Sequence, residues 1–390
     1  MKRLGLFLWH LGRHGGGPRY TLELARELAQ RDDVELHLSL SRQSDLFAET
    51  AALGTPVLAV DTYNGPAGFA AGLLRVPAIA GRMRAYVECR RLPVALCSMA
   101  HLWNGLLAPA LKKAGAANCL VVHDAMPHAG DNYGIRHLMI ARDIRQADAV
   151  ITVSDAVRRH LIERHGYPRE RAWASTIGPF RYGGDQASRP RRLGPPPHRL
   201  LFFGRLLPYK GLDCLIEAMR LLDGRGVAAR LRVVGDGSTD LPPLPANVEV
   251  DRRWIPEAEI PSLFADVDLV ALPYRETSQS GVIPIAHHFG VPPVVTPLAG
   301  LLEQAKGGRC GFVAADHSAV ALADAIQDAL ADPQRYARMS ADILDDDSNA
   351  QWAAAADQMV GILRAVAERK AWASPSPCPS PSDGGEGTCT

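Results

Sequence analysis

The 390-residue sequence has no apolar run approaching the ~18 residues that a membrane-spanning helix requires, so no transmembrane helix is expected. It also lacks a dominant charge: 43 Lys/Arg against 42 Asp/Glu leave a net charge of +1, which argues against a dedicated nucleic-acid binder. Its seven cysteines show no CxxC and no Cys/His pair at metal-ligand spacing; they read as reduced, mostly buried thiols of a cytoplasmic protein. No GxxxxGK[ST] is present, which excludes a P-loop. Gly12, Gly15, Gly16 and Gly17 miss the offsets of GxGxxG, and the second strand ends in Ser39-Leu40-Ser41 without an acid for a ribose. A nicotinamide dehydrogenase is therefore disfavoured. The apolar stretch in MKRLGLFLWHLGRHGGG is short, has no small-residue cleavage site and runs into a glycine-rich turn, so it reads as a first strand and not as a signal peptide.

What is present is a repeated strand–loop–helix pattern in a chain that is 47% hydrophobic and 22% charged. LGLFLW (4–9), VELHLSL (34–40), PVALCSM (93–99), CLVVHD (119–124) and AVITVS (149–154) read as strands, and Leu22, Ala25, Leu28 and Ala29 recur at helical spacing. GGDQASRPRRLGPPPH (183–198) is aperiodic and rich in Gly, Pro and Arg, as a linker is. A second series follows: RLLFF (199–203), RLRVV (230–234), DLVAL (268–272), PPVV (292–295) and GFV (311–313), then helices to about Lys370. The expectation is an α/β protein with two parallel sheets. Residues 1–185 form an N-terminal α/β domain, 186–198 a linker and 199–350 a C-terminal α/β domain. A helix at 351–371 packs back on the first domain, and the Pro/Ser/Gly tail 372–390 is disordered. Charge divides unevenly, +7 in residues 1–190 and −6 in the remainder. A basic front half facing an anionic phospholipid surface and two domains of merely differing surface charge both account for this.

Three loops carry candidate chemistry. The cluster Gly15, Gly16, Gly17 between a strand and a helix lets a ligand approach the backbone, with helix N–H groups aimed at an anion; a plain tight turn explains the same glycines. In FFGRLLPYKG (202–211), Arg205 and Lys210 leave a strand and open a helix, a suitable pair for a diphosphate. In PYRETSQSGVIPIAHHFGVPPVV (273–295), Thr277, Ser278, Gln279, Ser280 and Gly281 precede a helix that opens at Val282 and stops at Gly290; they can hold phosphate oxygens or simply cap the helix. His123 with Asp124, and His101, stand at strand ends facing a cleft, whereas His128, His287 and His288 read as loop or helix-surface residues. Asp266-Val267-Asp268 spells DxD but precedes a strand, so it reads as a helix end and not as a metal site.

Taken jointly, the GRL-x-x-x-KG loop, VVGDG (233–237), the GVPPVV strand, AGLLE (299–303), ADAVITVSDAV (147–157) and the opening GGGPRYTLELARELA resemble family 4 glycosyltransferases of the GT-B fold, across nearly residues 4–365. The resemblance implies two Rossmann-like parallel-sheet domains facing across a cleft, 1–185 for the acceptor and 199–350 for the nucleotide-sugar, and retaining transfer from a nucleotide-sugar, UDP- or GDP-linked, to an acceptor hydroxyl. Donor contacts would fall on Arg205, Lys210, Gly235, Thr277, Ser278, Gln279, Ser280, Gly281, Val282 and Glu303. His123, Asp124 and Glu276 would serve catalysis, and Gly15, Gly16, Gly17 and His101 the acceptor side. No metal or cofactor is expected, since Arg205 and Lys210 would neutralise the leaving diphosphate. Aligned on Gly290, the family's paired glutamates fall on Thr277 and Ile285, with Glu276 one residue before the first. The loop TSQSGV resembles a branch that replaces the acidic pattern with hydroxyl residues and a glycine. The expected partners are the nucleotide-sugar and a sugar or lipid-linked sugar, in cell-surface polysaccharide or glycolipid assembly, with no nucleic acid. The expected location is cytoplasmic, with a peripheral contact to anionic membrane through residues 66–91; a solvated basic helix face is the alternative. A catalytically weakened nucleotide-binding protein and a GT-B epimerase are the competing functions.

Overall fold

The computed structural model describes residues 3–123, 135–182, 189–277, 279–345 and 348–373. Chain order begins β1 (Leu4–His10), α1 (Gly16–Ala29), β2 (Val34–Ser41), α2 (Phe47–Ala51), β3 (Val57–Val60), α3 (Gly65–Leu73), α4 (Val76–Arg90), β4 (Val94–Cys97) and α5 (Asn104–Lys113). It continues through β5 (Ala117–Val122), α6 (Ile135–Gln146), β6 (Ala149–Thr152), α7 (Asp155–His165) and β7 (Ala172–Ala174). These strands form one sheet in the order β3-β2-β1-β4-β5-β6-β7. After the crossing come β8 (His198–Phe203), α8 (Leu212–Gly224), β9 (Ala229–Val234), β10 (Val248–Asp251), α9 (Ile260–Phe264), β11 (Leu269–Leu272), α10 (Val282–His288), β12 (Pro293–Val295), α11 (Ala299–Gln304) and β13 (Phe312–Val313). Their sheet has the order β10-β9-β8-β11-β12-β13. The chain ends in α12 (Ala319–Ala331), α13 (Pro333–Asp345) and α14 (Ser348–Ala373). Each strand pairing between the described residues is parallel, so helices must cover both faces.

That covering explains β2. Its sequence alternates, yet all but Glu35 is buried, because α4 lies over the second face: His37 Nδ1 is 3.0 Å from the Tyr86 hydroxyl, and Ser41 Oγ is 2.6 Å from Thr62 Oγ1. The strands β3, β7 and β10 are short additions at the sheet edges that no long apolar run marks.

The last helix lies against the first sheet's half. Trp352 Nε1 donates to the Pro179 carbonyl (2.8 Å), Arg364 pairs with Asp33 (2.9 Å), and Lys370 Nζ donates to the Ala116 carbonyl (2.6 Å). Residues 374–390 lie outside the described part. The crossing segment is anchored at Arg191, whose side chain donates to the carbonyls of Phe289 (2.9 Å), Ala265 (2.6 Å) and Phe264 (2.9 Å). The DxD triplet is structural: Asp268 accepts the Arg199 N–H (2.7 Å) and Asp266 pairs with the Arg199 side chain (3.3 Å).

One carboxyl is out of place for a parallel core. Asp143 of α6 is buried against the first turn of α5, where a Cβ on Gly105 would lie 3.0 Å from its Oδ1. Burial pushes this carboxyl up to about 7, against the small opposing pull of Arg142. The folded state therefore holds a proton that the unfolded chain has released, and stability falls as pH rises from about 4 toward 7. Asp143→Asn is expected to leave the melting temperature nearly unchanged at pH 4.5 and to raise it at pH 8, measured by scanning calorimetry; an equal shift at both values contradicts this.

Candidate active site

The loop that leaves β8 is shaped by a near-contact of two backbones. Leu206 N–H donates to the Asp236 carbonyl (2.7 Å) and Gly204 N–H to that of Val234 (3.0 Å). Gly235 faces the Gly204 carbonyl oxygen so closely that a Cβ there would overlap it. Gly211, at φ 65°, is packed in the same way against the Pro273 carbonyl. Between these points Arg205 is exposed, and Lys210 is buried with Nζ 3.7 Å from the centre of the Tyr274 ring. The aromatic face holds the ammonium by a cation–π contact.

The third loop is knit from within. Tyr274 Oη lies 3.2 Å from Ser280 Oγ, which accepts the Val282 N–H (3.2 Å). Gln304 Oε1 accepts the Ser280 N–H (2.7 Å), while Gln304 Nε2 donates to the Ser280 carbonyl (2.9 Å). Thr277 Oγ1 donates to the Gln279 carbonyl (2.6 Å). The Thr277 and Ser280 hydroxyls thus serve the loop's own backbone. Gly281 and half-buried Glu276 belong to the same loop, and Val282 opens the short helix α10. Ile285, where the resemblance puts a glutamate, is 7% exposed and lies within the hydrophobic core. Glu303 reaches the other half, where its carboxylate accepts the N–H groups of Asp155 (3.3 Å) and Ala156 (3.4 Å) at the start of α7.

In the front half, β1, β4 and β5 are neighbours, and His10, His101 and His123 follow one another along their C-terminal ends. His10 is buried among Gly12, Gly17 and Met99; burial, then the nearby His101 and His123, brings its pKa down to about 3. His101, packed among Tyr63 and Trp103, is lowered to about 4 by burial and by Arg13. Both imidazoles are neutral at pH 7 and offer hydrogen bonds without charge. His123 Nε2 lies 2.9 Å from the Ser98 carbonyl, so that nitrogen carries the proton, and its ring meets the edge of Tyr20 at 4.7 Å. Gly15, Gly16 and Gly17 lead into α1 beside this row. Asp124, His128 and Ser278 lie outside the described residues.

Two histidines differ from the surface placement expected of them. His287 is buried, with Nε2 2.9 Å from the Cys310 carbonyl. His288 accepts the Tyr182 N–H (3.0 Å), and burial lowers it to about 4. The amphipathic pattern of α10 does not show that the crossing chain covers its outer face.

Several residues at the cleft carry no motif. Arg19 of α1 donates from Nε (3.1 Å) and Nη2 (2.8 Å) to Glu257 of the back half. Trp254 lies over the glycine loop, its ring 5.7 Å from that of His14. Tyr274 and Gln304 brace the donor-side loops as described. Only Tyr274 left a trace in sequence, as an aromatic directly after a strand end.

Residues 14–173 match the family model described as Glycosyltransferase Family 4, and residues 197–332 the one described as Glycosyl transferases group 1; together these ranges take in most of the chain. A D-inositol 3-phosphate glycosyltransferase of Corynebacterium aurimucosum is 33% identical over 187 residues, 44% of each chain. One from Corynebacterium diphtheriae is 24% identical over 90% of each chain. The GDP-mannose-dependent alpha-(1-6)-phosphatidylinositol monomannoside mannosyltransferase of Mycolicibacterium smegmatis is 28% identical over 84% of this chain and 88% of its own. The chain spans about half the length of the first curated relatives it matches. Among solved structures, Anabaena HepE in complex with UDP superposes with a TM-score of 0.63 at 19% identity, covering 95% of this chain and 100% of that one. Sucrose-phosphate synthase from Thermosynechococcus elongatus superposes at 0.69 with 17% identity, covering 94% and 100%. These likenesses show the fold, GT-B.

Proposed function

The chain belongs to the GT-B glycosyltransferases of family 4 and group 1, and from that premise we propose that it transfers a sugar from a nucleotide-sugar to an acceptor hydroxyl with retention of configuration. The observation that carries this reading is the placement of Lys210 on the Tyr274 ring at 3.7 Å, on one loop with exposed Arg205, at the C-terminal edge of the back sheet. A point charge and a guanidinium fork there suit a diphosphate that gains charge as its bond to the sugar breaks. The C–O bond to the leaving phosphate breaks as the acceptor oxygen bonds to the anomeric carbon from the same face, and the leaving phosphate oxygen takes the acceptor's proton. Glu276 contacts the donor sugar, and His123 orients sugar and acceptor. The cations make a metal unnecessary in this scheme.

UDP and GDP are the nucleotides to test, since HepE is solved with UDP and the mycolicibacterial relative is GDP-mannose-dependent. The acceptor is a sugar or lipid-linked sugar, in line with relatives named for inositol 3-phosphate and phosphatidylinositol monomannoside. A lipid-linked acceptor also suits the surface of α3 and α4. Leu73 and Leu74 are exposed (41% and 86%), and exposed Arg75, Arg82, Arg84, Arg90 and Arg91 follow them. Among the described residues no helix is long and apolar enough to cross a membrane, so the proposed contact is peripheral, at the cytoplasmic face. The apolar Ile285 in place of a glutamate favours a second reading, a nucleotide-binding protein without turnover.

A thermal-shift panel of UDP, GDP, ADP and their sugars decides between these. A rise of several degrees for one nucleotide, abolished in Arg205→Ala and Lys210→Ala, is expected, with turnover of the corresponding sugar donor. Binding without turnover supports the second reading, and no shift with any nucleotide contradicts both. For the membrane contact, the protein is expected to pellet with phosphatidylglycerol vesicles and not with phosphatidylcholine vesicles, and Leu73→Ser/Leu74→Ser is expected to weaken this; no pelleting at low salt contradicts it.

A further inference from the structure

Arg19 stands in the first turn of α1, directly after the glycine loop, and is only 5% exposed. Its guanidinium turns away from its own sheet. Nε and Nη2 donate to Glu257 Oε2 at 3.1 and 2.8 Å, Nη1 donates to the Arg181 carbonyl at 3.1 Å, and the group lies 4.5 Å over the Tyr182 ring. Arg181 itself pairs with Glu23 (2.5 Å) and Glu27 (2.8 Å) of α1, and Tyr182 N–H donates to His288 of the back half. Three residues before Glu257, Trp254 rests over Gly15, where a Cβ would lie 3.6 Å from its ring. One buried cation therefore joins the helix that carries the glycine loop, the chain crossing between the halves, and the back half itself. The two partners are 238 residues apart, one on α1 of the front half and one on the turn before α9 of the back half.

We infer that Arg19 and Glu257 are positioning residues, a latch that holds the glycine loop of the front half against the donor-side half and so favours the closed cleft. The physical basis is the burial of the pair. Separating the halves exposes both partners to water together, whereas removing the Arg19 charge leaves Glu257 desolvated in the closed form and removing the Glu257 charge leaves Arg19 with only Glu23 of its own helix (3.8 Å) as a carboxylate partner, so that the closed form selectively loses its ionic contact between the halves. The latch acts through Gly15–Gly17 and Trp254.

The test uses the full chain. Small-angle scattering without ligand is expected to give a larger radius of gyration for Glu257→Gln than for the wild type, and a larger one still for Glu257→Lys. Arg19→Gln is expected to behave like Glu257→Gln, and the double variant no worse than either single one, because all three remove the same interaction. The kinetic part rests on the proposed transferase activity. With the donor identified by the nucleotide panel, Glu257→Gln is expected to raise the donor KM roughly tenfold with kcat retained, since apparent affinity falls with the closed fraction. Damage to the fold would instead lower kcat at unchanged KM. Should Arg19→Gln fail to fold, the Glu257 variants carry both measurements. An unchanged radius together with an unchanged KM in Glu257→Gln, or additive effects in the double variant, overturns the latch. If no nucleotide-sugar is turned over, the transferase reading falls while the scattering result still decides the latch.

Discussion

Where β8 and β9 end, the Gly204 carbonyl and the Gly235 Cα lie against each other with no room for a side chain, and the loops at the C-terminal edge of the back sheet are built outward from that contact. The bonds Leu206 N–H to Asp236 and Gly235 N–H to Asp251 (2.7 and 3.1 Å) join the ends of β8, β9 and β10 into one backbone platform. The loop leaving it has one course, past Arg205 to Gly211, which is pressed in turn against the Pro273 carbonyl. Lys210 therefore meets Tyr274, and Tyr274 meets Ser280 and, through it, Gln304. A cation placed by such a chain of contacts has little side-chain freedom left to lose.

The two halves handle charge differently. At the front, strand ends carry imidazoles that burial holds neutral, as with His10 and His101. At the back, the loop between β8 and α8 carries two cations. Contacts between the halves are ionic as well: Arg19 with Glu257 on one side, and Glu303 with the first N–H groups of α7 on the other. These contacts are polar, and beside the first of them Tyr182 of the crossing chain stacks on Phe289 of the back half (5.6 Å).

Much of this was legible in the sequence. The central strands announce themselves as apolar runs because parallel sheets bury both faces, and the donor loop is readable because glycine, arginine and lysine stand at fixed offsets around a strand end. The edge strands β3, β7 and β10 were not legible, being too short for a pattern. Nor was the burial of His287, which rests on the Cys310 carbonyl, or of His288, which meets the crossing chain about a hundred residues earlier. Arg191 read as one more polar residue of a linker, yet its guanidinium closes three carbonyls of the back half. The pairing of Arg19 with Glu257 was not legible because it exists only when the two halves meet. The apolar Ile285 was visible as a departure from the family pattern, and its burial shows the position given over to packing.

The central claim is that the cleft recognises the diphosphate itself through Lys210 and Arg205. Calorimetric titration in the presence of EDTA, comparing UDP with UMP and GDP with GMP on the wild type and on Lys210→Met, addresses it most directly. The account requires the preferred diphosphate to bind at least roughly tenfold more tightly than its monophosphate, with most of that gap lost in Lys210→Met. Equal affinities for di- and monophosphate, or a gap that Lys210→Met leaves intact, would contradict it.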